Sequence, residues 1–113
     1  MTGTPFGQLH DSKQAHLYRI RCGSLEAAIT DFGATLVSLL VPDKDGHLDD
    51  VVLGFDSAAD YAASNSFLGT TVGRNANRIA GGSFTLNDRT YTLEQNNNGN
   101  TLHSGSTSYA IRL

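Results

Sequence analysis

The chain lacks most of the features that announce a function. It has one cysteine, Cys22, so no internal disulfide can form and nothing in the cysteine usage points to an oxidising compartment. No apolar run approaches the ~20 residues needed to cross a bilayer. Residues 1–10 lack the basic start and apolar centre of a signal peptide, and no Asn-x-Ser/Thr acceptor occurs. A soluble cytoplasmic protein is the expectation. Charge is sparse too: a net −3 over 113 residues, with no extended cationic cluster, argues against nucleic acid or a membrane as partner. No Gly-Lys-Ser/Thr cradle for phosphate and no Gly-x-Ser-x-Gly elbow is present, Cys22 has no identifiable activating base, and no carboxylate pair suggests glycosidic cleavage. No cofactor is expected.

What is present reads as an all-β protein. The length suits one domain, residues 1–113, mainly antiparallel and arranged as a β-sandwich, because short β-favouring runs alternate with turn residues and one brief helix interrupts them. From His16 to Cys22, Tyr18, Ile20 and Cys22 fall on one side of a strand and Arg19 and Arg21 on the other; Leu25, Ala27 and Ile29 repeat the pattern after Gly23-Ser24. The two segments predict a hairpin, with the arginines facing water. Thr35 to Val41 is apolar on both faces except for Ser38, the pattern of a strand covered on both sides, and it is the expected core; Pro42 ends it. Val51, Leu53 and Phe55 predict a further strand. Ala58 to Ser64 predicts one or two helical turns capped by Ser57, with Tyr61 inward. Asp43, Asp45, His47, Asp49 and Asp50 form an acidic cluster, but the glycine falls too early for a calcium loop and its closing glutamate is missing. A solvated turn is expected there and no metal.

The chain is organised around the stretch from Gly73 to Gly105. Arg74, Asn77 and Arg78 lie between Gly73 and the Gly81-Gly82 pair, in a segment too polar for core and too irregular for a periodic element. Arg supplies planar charged donors, Asn donates and accepts, and neutral His does both, a set suited to the hydroxyls of a neutral polyol. Two arginines four residues apart also fit one exposed helical turn, or buttresses for carbonyls. Asn96, Asn97, Asn98 and Asn100 are explained as turn formers, and one of them could also face a ligand. Between these segments a hairpin is expected. A four-residue loop from Asn87 to Thr90 would set Leu86 opposite Tyr91 and Phe84 opposite Leu93, with the apolar side chains on one face. A two-residue turn at Asn87-Asp88 would instead set Leu86 opposite Arg89, and the first register is preferred.

Five blocks resemble the aldose 1-epimerase (galactose mutarotase) family in the family's own order: Asp31 to Leu36, Val41-Pro42-Asp43 with Gly46, Asp50 to Asp56, Thr71 to Phe84, and Asn96 to His103. The resemblance covers roughly Phe6 to Gly105. It implies part of the large mutarotase β-sandwich and an aldohexose as partner. Asn77 and Arg78 would hydrogen-bond the pyranose, and His103 would lie near its ring oxygen, the last two groups converging on one hollow. Arg74 is read as structural. The implied reaction interconverts α and β anomers: a base takes the anomeric hydroxyl proton, an acid protonates the ring oxygen, the ring opens, and it recloses on the other face. In the family the base is a glutamate and the acid a second histidine, both further along than Leu113. No catalytic residue is therefore expected within this chain, which resembles the front part of a mutarotase and is expected to be inactive by itself. After His103 the family usually continues with two glycines, and here Ser104 replaces the first. Uncovered strand edges and apolar faces predict self-association. The alternative reading is a non-catalytic carbohydrate-binding or interaction module.

Overall fold

Glycine and Asn/Asp turns cut the sequence into short extended pieces. In the computed structural model, which describes residues 2–113, these become nine strands and one short helix. Strands β1 (Thr4–Gln8), β2 (Gln14–Cys22), β3 (Leu25–Thr30), β4 (Thr35–Pro42) and β5 (Leu48–Asp50) pair antiparallel in chain order as one sheet. The expected hairpin of β2 and β3 is present, with Leu17 opposite Thr30 and Arg21 opposite Glu26.

Its inward face is the reverse of the expected one. Ala15, Leu17, Glu26, Ala28 and Thr30 are the buried residues, whereas Ile20 and Leu25 are each 44% exposed. The cause is electrostatic. Arg19 Nη1 donates to Glu26 Oε1 at 2.8 Å and Arg21 Nε donates to Oε2, so the carboxylate is neutralised in place and the arginine stems roof the face that a hydropathy pattern assigns to water.

β4 is likewise less covered than its sequence suggests. Thr35 is buried, but Leu36 to Pro42 are only half-buried. Opposite Ala28 and Ile29 the register jumps from Ser38 to Leu36, leaving Val37 as a bulge that packs against the core. Residues 51–55 form no strand; Val51 and Leu53 are 62% and 79% exposed, because β4 pairs instead with β5 and the chain then leaves the sheet. In the acidic cluster, Asp43 Oδ1 accepts from the backbone N–H groups of Asp45 and His47, so this carboxylate serves the turn.

The helix forms as read: α1 (Ala58–Ala63) is capped by Ser57, whose hydroxyl accepts from the Asp60 N–H. It buries Ala58 and Tyr61 against Ala15 and Phe32, with Phe6, Leu9, Val37, Phe55 and Leu68 around them. This is the core, and it joins α1 to residues of β1, β2 and β4.

Downstream, β6 (Arg78–Ile79) pairs with β9 (Thr101–Leu102), and β7 (Ser83–Leu86) with β8 (Arg89–Thr92). The β7–β8 register corrects the four-residue loop: Leu86 faces Arg89 and Phe84 faces Tyr91 across an Asn87-Asp88 turn with φ of 50° and 56°. Positive φ at both turn positions is the I′ geometry that matches strand twist. All eight strand residues are exposed, so no buried face exists to reward the alternative register. Phe84 stacks on Tyr91 instead, with centroids 5.1 Å apart.

This downstream half is tied to the sheet by backbone bonds. Leu36 N–H donates to Gly69 O at 2.8 Å, Thr71 N–H to Gly33 O and Gly33 N–H to Arg112 O, while the Tyr109 N–H on Gly73 O ties the downstream half to itself. Gly33 permits the approach: its φ is 65°, and a Cβ there would sit 2.6 Å from Ala110 O. The shape is drawn out, 57 × 36 × 25 Å with a radius of gyration of 17.3 Å, where a compact chain of this length has about 13 Å. The accessible surface of 7564 Å² likewise exceeds the roughly 6,000 Å² expected for a monomer of this mass. No helix among the described residues is long and apolar enough to cross a membrane.

Two outcomes follow from this packing. Among the described residues the buried Tyr61 hydroxyl has no hydrogen-bond partner, so Tyr61→Phe should leave the stability measured by denaturant unfolding unchanged or raise it by up to about 1 kcal/mol. Hydrogen bonds from Arg19 and then Arg21 hold the Glu26 carboxyl below its ordinary value. Because the folded form favours the ionised state, this contribution is complete above the ordinary carboxylate range near pH ~4.3 and is lost as pH falls through the lowered folded value. The melting midpoint should therefore drop on acidification, and Glu26→Gln should flatten that dependence.

Candidate functional site

The β6–β9 pair brings together the three residues that the sequence singled out. Arg78 lies opposite Leu102, which sets Asn77 beside His103 just beyond the strand ends. Both have left-handed backbone, with φ of 61° and 51°, a conformation that Asn and His enter more readily than most residues but at a cost of about 1–3 kcal/mol. They hold each other there. The Asn77 N–H donates to His103 Nδ1 at 3.0 Å, and the His103 N–H donates back to Asn77 O at 3.1 Å.

This clasp fixes the chemistry of the imidazole. With Nδ1 accepting, the proton of the neutral ring is on Nε2, which is left as a donor. Phe67 supports the ring at 4.8 Å between centroids, while its neighbour Leu68 packs into the core, so the imidazole is braced from the core side. Arg78 is oriented by two further bonds: Nε donates to Asn97 Oδ1 at 2.9 Å, and Nη1 to Asn77 Oδ1 at 3.4 Å. Of the five N–H donors of a guanidinium, the remaining three have no partner among the described residues.

The asparagine-rich segment serves this cluster as strapping. Asn96 caps Leu102 on both sides, its Nδ2 donating to Leu102 O and its Oδ1 accepting the Leu102 N–H at 2.7 Å. Asn97 and Asn100 exchange backbone hydrogen bonds around Asn98-Gly99, and Asn100 Oδ1 accepts the Gly81 N–H. Their polar atoms are thus largely engaged by the protein itself. Ser104, at φ 67°, accepts the Asn75 N–H at 2.8 Å and donates to Asn75 O, a link that glycine could not make.

Beside the cluster opens a cavity of about 360 Å³ whose walls include Arg74, Asn77, Glu94, Ser104, Tyr109 and Arg112. Asn77 lines it, whereas the exposed Arg78 and the half-buried His103 are not among its walls. Arg74, read from the sequence as structural, is one of the walls of this space. Glu94 was not singled out at all: its Oε2 accepts from the backbone N–H and the hydroxyl of Ser106, at 2.7 and 2.6 Å, and Ser106 holds its carboxyl below the ordinary value. No periodicity marks it, since it sits in an irregular polar segment twelve residues from its partner.

Known proteins share this arrangement of segments. The family model for aldose 1-epimerase matches residues 16–111. A probable aldose 1-epimerase from Arthroderma benhamiae is 37% identical over 96% of this chain, and galactose mutarotase from Bos taurus is 42% identical over 78% of it. A crystal structure of an aldose epimerase homologue from C. elegans superposes with a TM-score of 0.80 at 36% identity over 87% of this chain. The mutarotase-like β fold is therefore common to both. The chain spans 26% of the length of the first two relatives and 30% of the C. elegans chain. Matched by that family model over most of its length and by those relatives in sequence and fold, the chain belongs to the aldose 1-epimerase family.

Proposed function

We propose that this chain supplies the sugar-holding part of an aldose 1-epimerase site, with Asn77, Arg78 and His103 gripping an aldohexose such as galactose or glucose. The Asn77–His103 clasp carries this reading, because it leaves Nε2–H as the ring's donor beside a guanidinium with spare donors. The left-handed backbone of Asn77 and His103, enforced by their mutual hydrogen bonds, supports this reading, since sparsely populated conformations over-determined by their surroundings cluster at ligand sites. A pyranose laid across them would receive Nε2–H at its ring oxygen or a neighbouring hydroxyl, and Arg78 donors at further hydroxyls. These bonds would orient the anomeric carbon but do not transfer its protons. The base that takes the anomeric hydroxyl proton and the acid that protonates the ring oxygen belong, on the family pattern, to residues beyond Leu113. Each such transfer is typically worth about 10²- to 10⁴-fold, so this chain alone should not accelerate mutarotation.

Two further proposals accompany this reading. The exposed, unpaired Cys22 fits a reducing, cytoplasmic setting. The open edges at β1 and β5, with exposed Leu53, Leu86 and Ile111, favour self-association of the isolated chain.

Titrating the chain with galactose or glucose should shift the His103 imidazole resonances, and Arg78→Ala or His103→Ala should weaken that binding at least tenfold. Resonances of His103 that ignore both sugars would overturn the reading. Polarimetry on the 113-residue chain should show mutarotation at the uncatalysed rate; acceleration would mean that the proton-transfer groups lie within it. Sedimentation should show species larger than a monomer, and a cooperatively melting monomer would count against the edge argument.

A further inference from the structure

His103, Ser104 and Gly105 are three consecutive residues with left-handed backbone, at φ of 51°, 67° and 59°. Such a run does not persist on its own merits, because left-handed backbone costs roughly 1–2 kcal/mol per non-glycine residue. It must be held from outside. On one side the hold comes from Asn75 and Asn77, through the bonds to Ser104 and His103 already described. On the other side it comes from Thr107, whose hydroxyl and N–H both donate to Ser104 O, from the Ser108 N–H on Gly105 O, and from one carboxylate side chain.

That side chain is Glu94. Its Oε2 takes two hydrogen bonds from Ser106, and the carboxylate lies against Gly105 so closely that a Cβ there would meet Oε2 at 2.5 Å. Glu94 is itself anchored, since Thr101, a buried residue of β9, donates its hydroxyl to Glu94 O at 2.7 Å. One residue thus connects the strand that leads into His103 with the turn that leads out of it. The charged and titratable side chains sharing the cavity with Glu94 are Arg74, Tyr109 and Arg112; none is hydrogen-bonded to its carboxylate among the described residues.

We propose that Glu94 is a positioning residue of the sugar site, its carboxylate clamping Ser106 so that the left-handed turn keeps His103 Nδ1 on the Asn77 N–H and leaves Nε2–H as the ring's donor. The inference rests on the sugar reading only for its consequence. The clamp itself is tested without sugar. The carboxylate accepts two donors at once, and ionised acceptors bond about twice as strongly as neutral ones. An amide at this position would keep one weaker acceptor and lose the charge. Glu94 needs no contact with the ligand to act in this way.

The test uses imidazole ¹H–¹⁵N spectra of the full chain at neutral pH. In the wild type, His103 should show a single Nε2–H tautomer with an unprotonated, hydrogen-bonded Nδ1. In Glu94→Ala that signature should broaden into a mixture of tautomers. Sugar affinity should fall about tenfold, the scale of one charge-assisted hydrogen bond. Glu94→Gln should fall between the two, and Ser106→Ala, which removes the hydroxyl donor and leaves the backbone N–H, should shift the spectrum in the same direction by less. If Glu94→Ala does not fold, Ser106→Ala and Glu94→Gln carry the test. An unchanged Nε2–H signature in folded Glu94 and Ser106 variants would overturn the proposal, even if their melting midpoints drop, because a merely structural residue would lower stability and leave the tautomer alone. Failure of the wild type to bind sugar would sink the sugar reading and leave the tautomer comparison to decide the clamp.

Discussion

The downstream half of this protein depends on a pair of left-handed residues, Asn77 and His103, that stabilise each other's unfavourable backbone through two hydrogen bonds. Neither conformation is stable in isolation. Together they close the mouth of the β6–β9 pair, fix the imidazole tautomer and give the Arg78 guanidinium an acceptor in the Asn77 side chain. Polar groups thus do here what packing does near α1, where Tyr61 and Phe32 meet in an apolar cluster. The consequence is a division of labour along the chain. One end is held by burial and the other by directed hydrogen bonds, with Phe67 and Leu68 as the hinge between the two kinds of glue.

Directed bonds need more partners than burial does, and the strap from Glu94 to Asn100 supplies them. Its residues serve, in turn, Ser106, Gly81, Leu102, Arg78 and again Gly81, so a segment without regular structure fixes four different parts of the site. Buried networks of this kind are worth most where water is excluded. Here the strap is largely exposed, consistent with the excess of accessible surface over that of a compact monomer.

How much of this could be read from the sequence varies with the kind of force involved. The β2–β3 hairpin, α1 with its Ser57 cap, and the antiparallel class were legible because they follow from periodicity and turn chemistry. The inward face of β2 was not, because Glu26 is covered by Arg19 and Arg21, and a neutralised charge does not look buried to a hydropathy pattern. The β7–β8 register was misread for the opposite reason: one-face burial was assumed for a ribbon that has no buried face, and the Asn87-Asp88 turn decides instead. Asn77, Arg78 and His103 were singled out through family-like blocks rather than spacing; the β6–β9 pair sets them side by side, and their hold on a sugar is a proposal. Glu94 escaped notice because its role is defined only by a turn twelve residues away.

The exposed β7–β8 ribbon has one more implication. Its side-chain bonds, the Thr85–Thr90 hydroxyl pair and the Phe84–Tyr91 stack, stay within the ribbon, and its base is closed by the Leu93 N–H on Gly82 O. The tip is therefore mechanically insulated from the imidazole and the guanidinium. Foreign sequence spliced between Asn87 and Asp88, such as an epitope or a fluorescent reporter, would ride on a pre-closed stem and leave the hydrogen-bonded floor beneath it undisturbed.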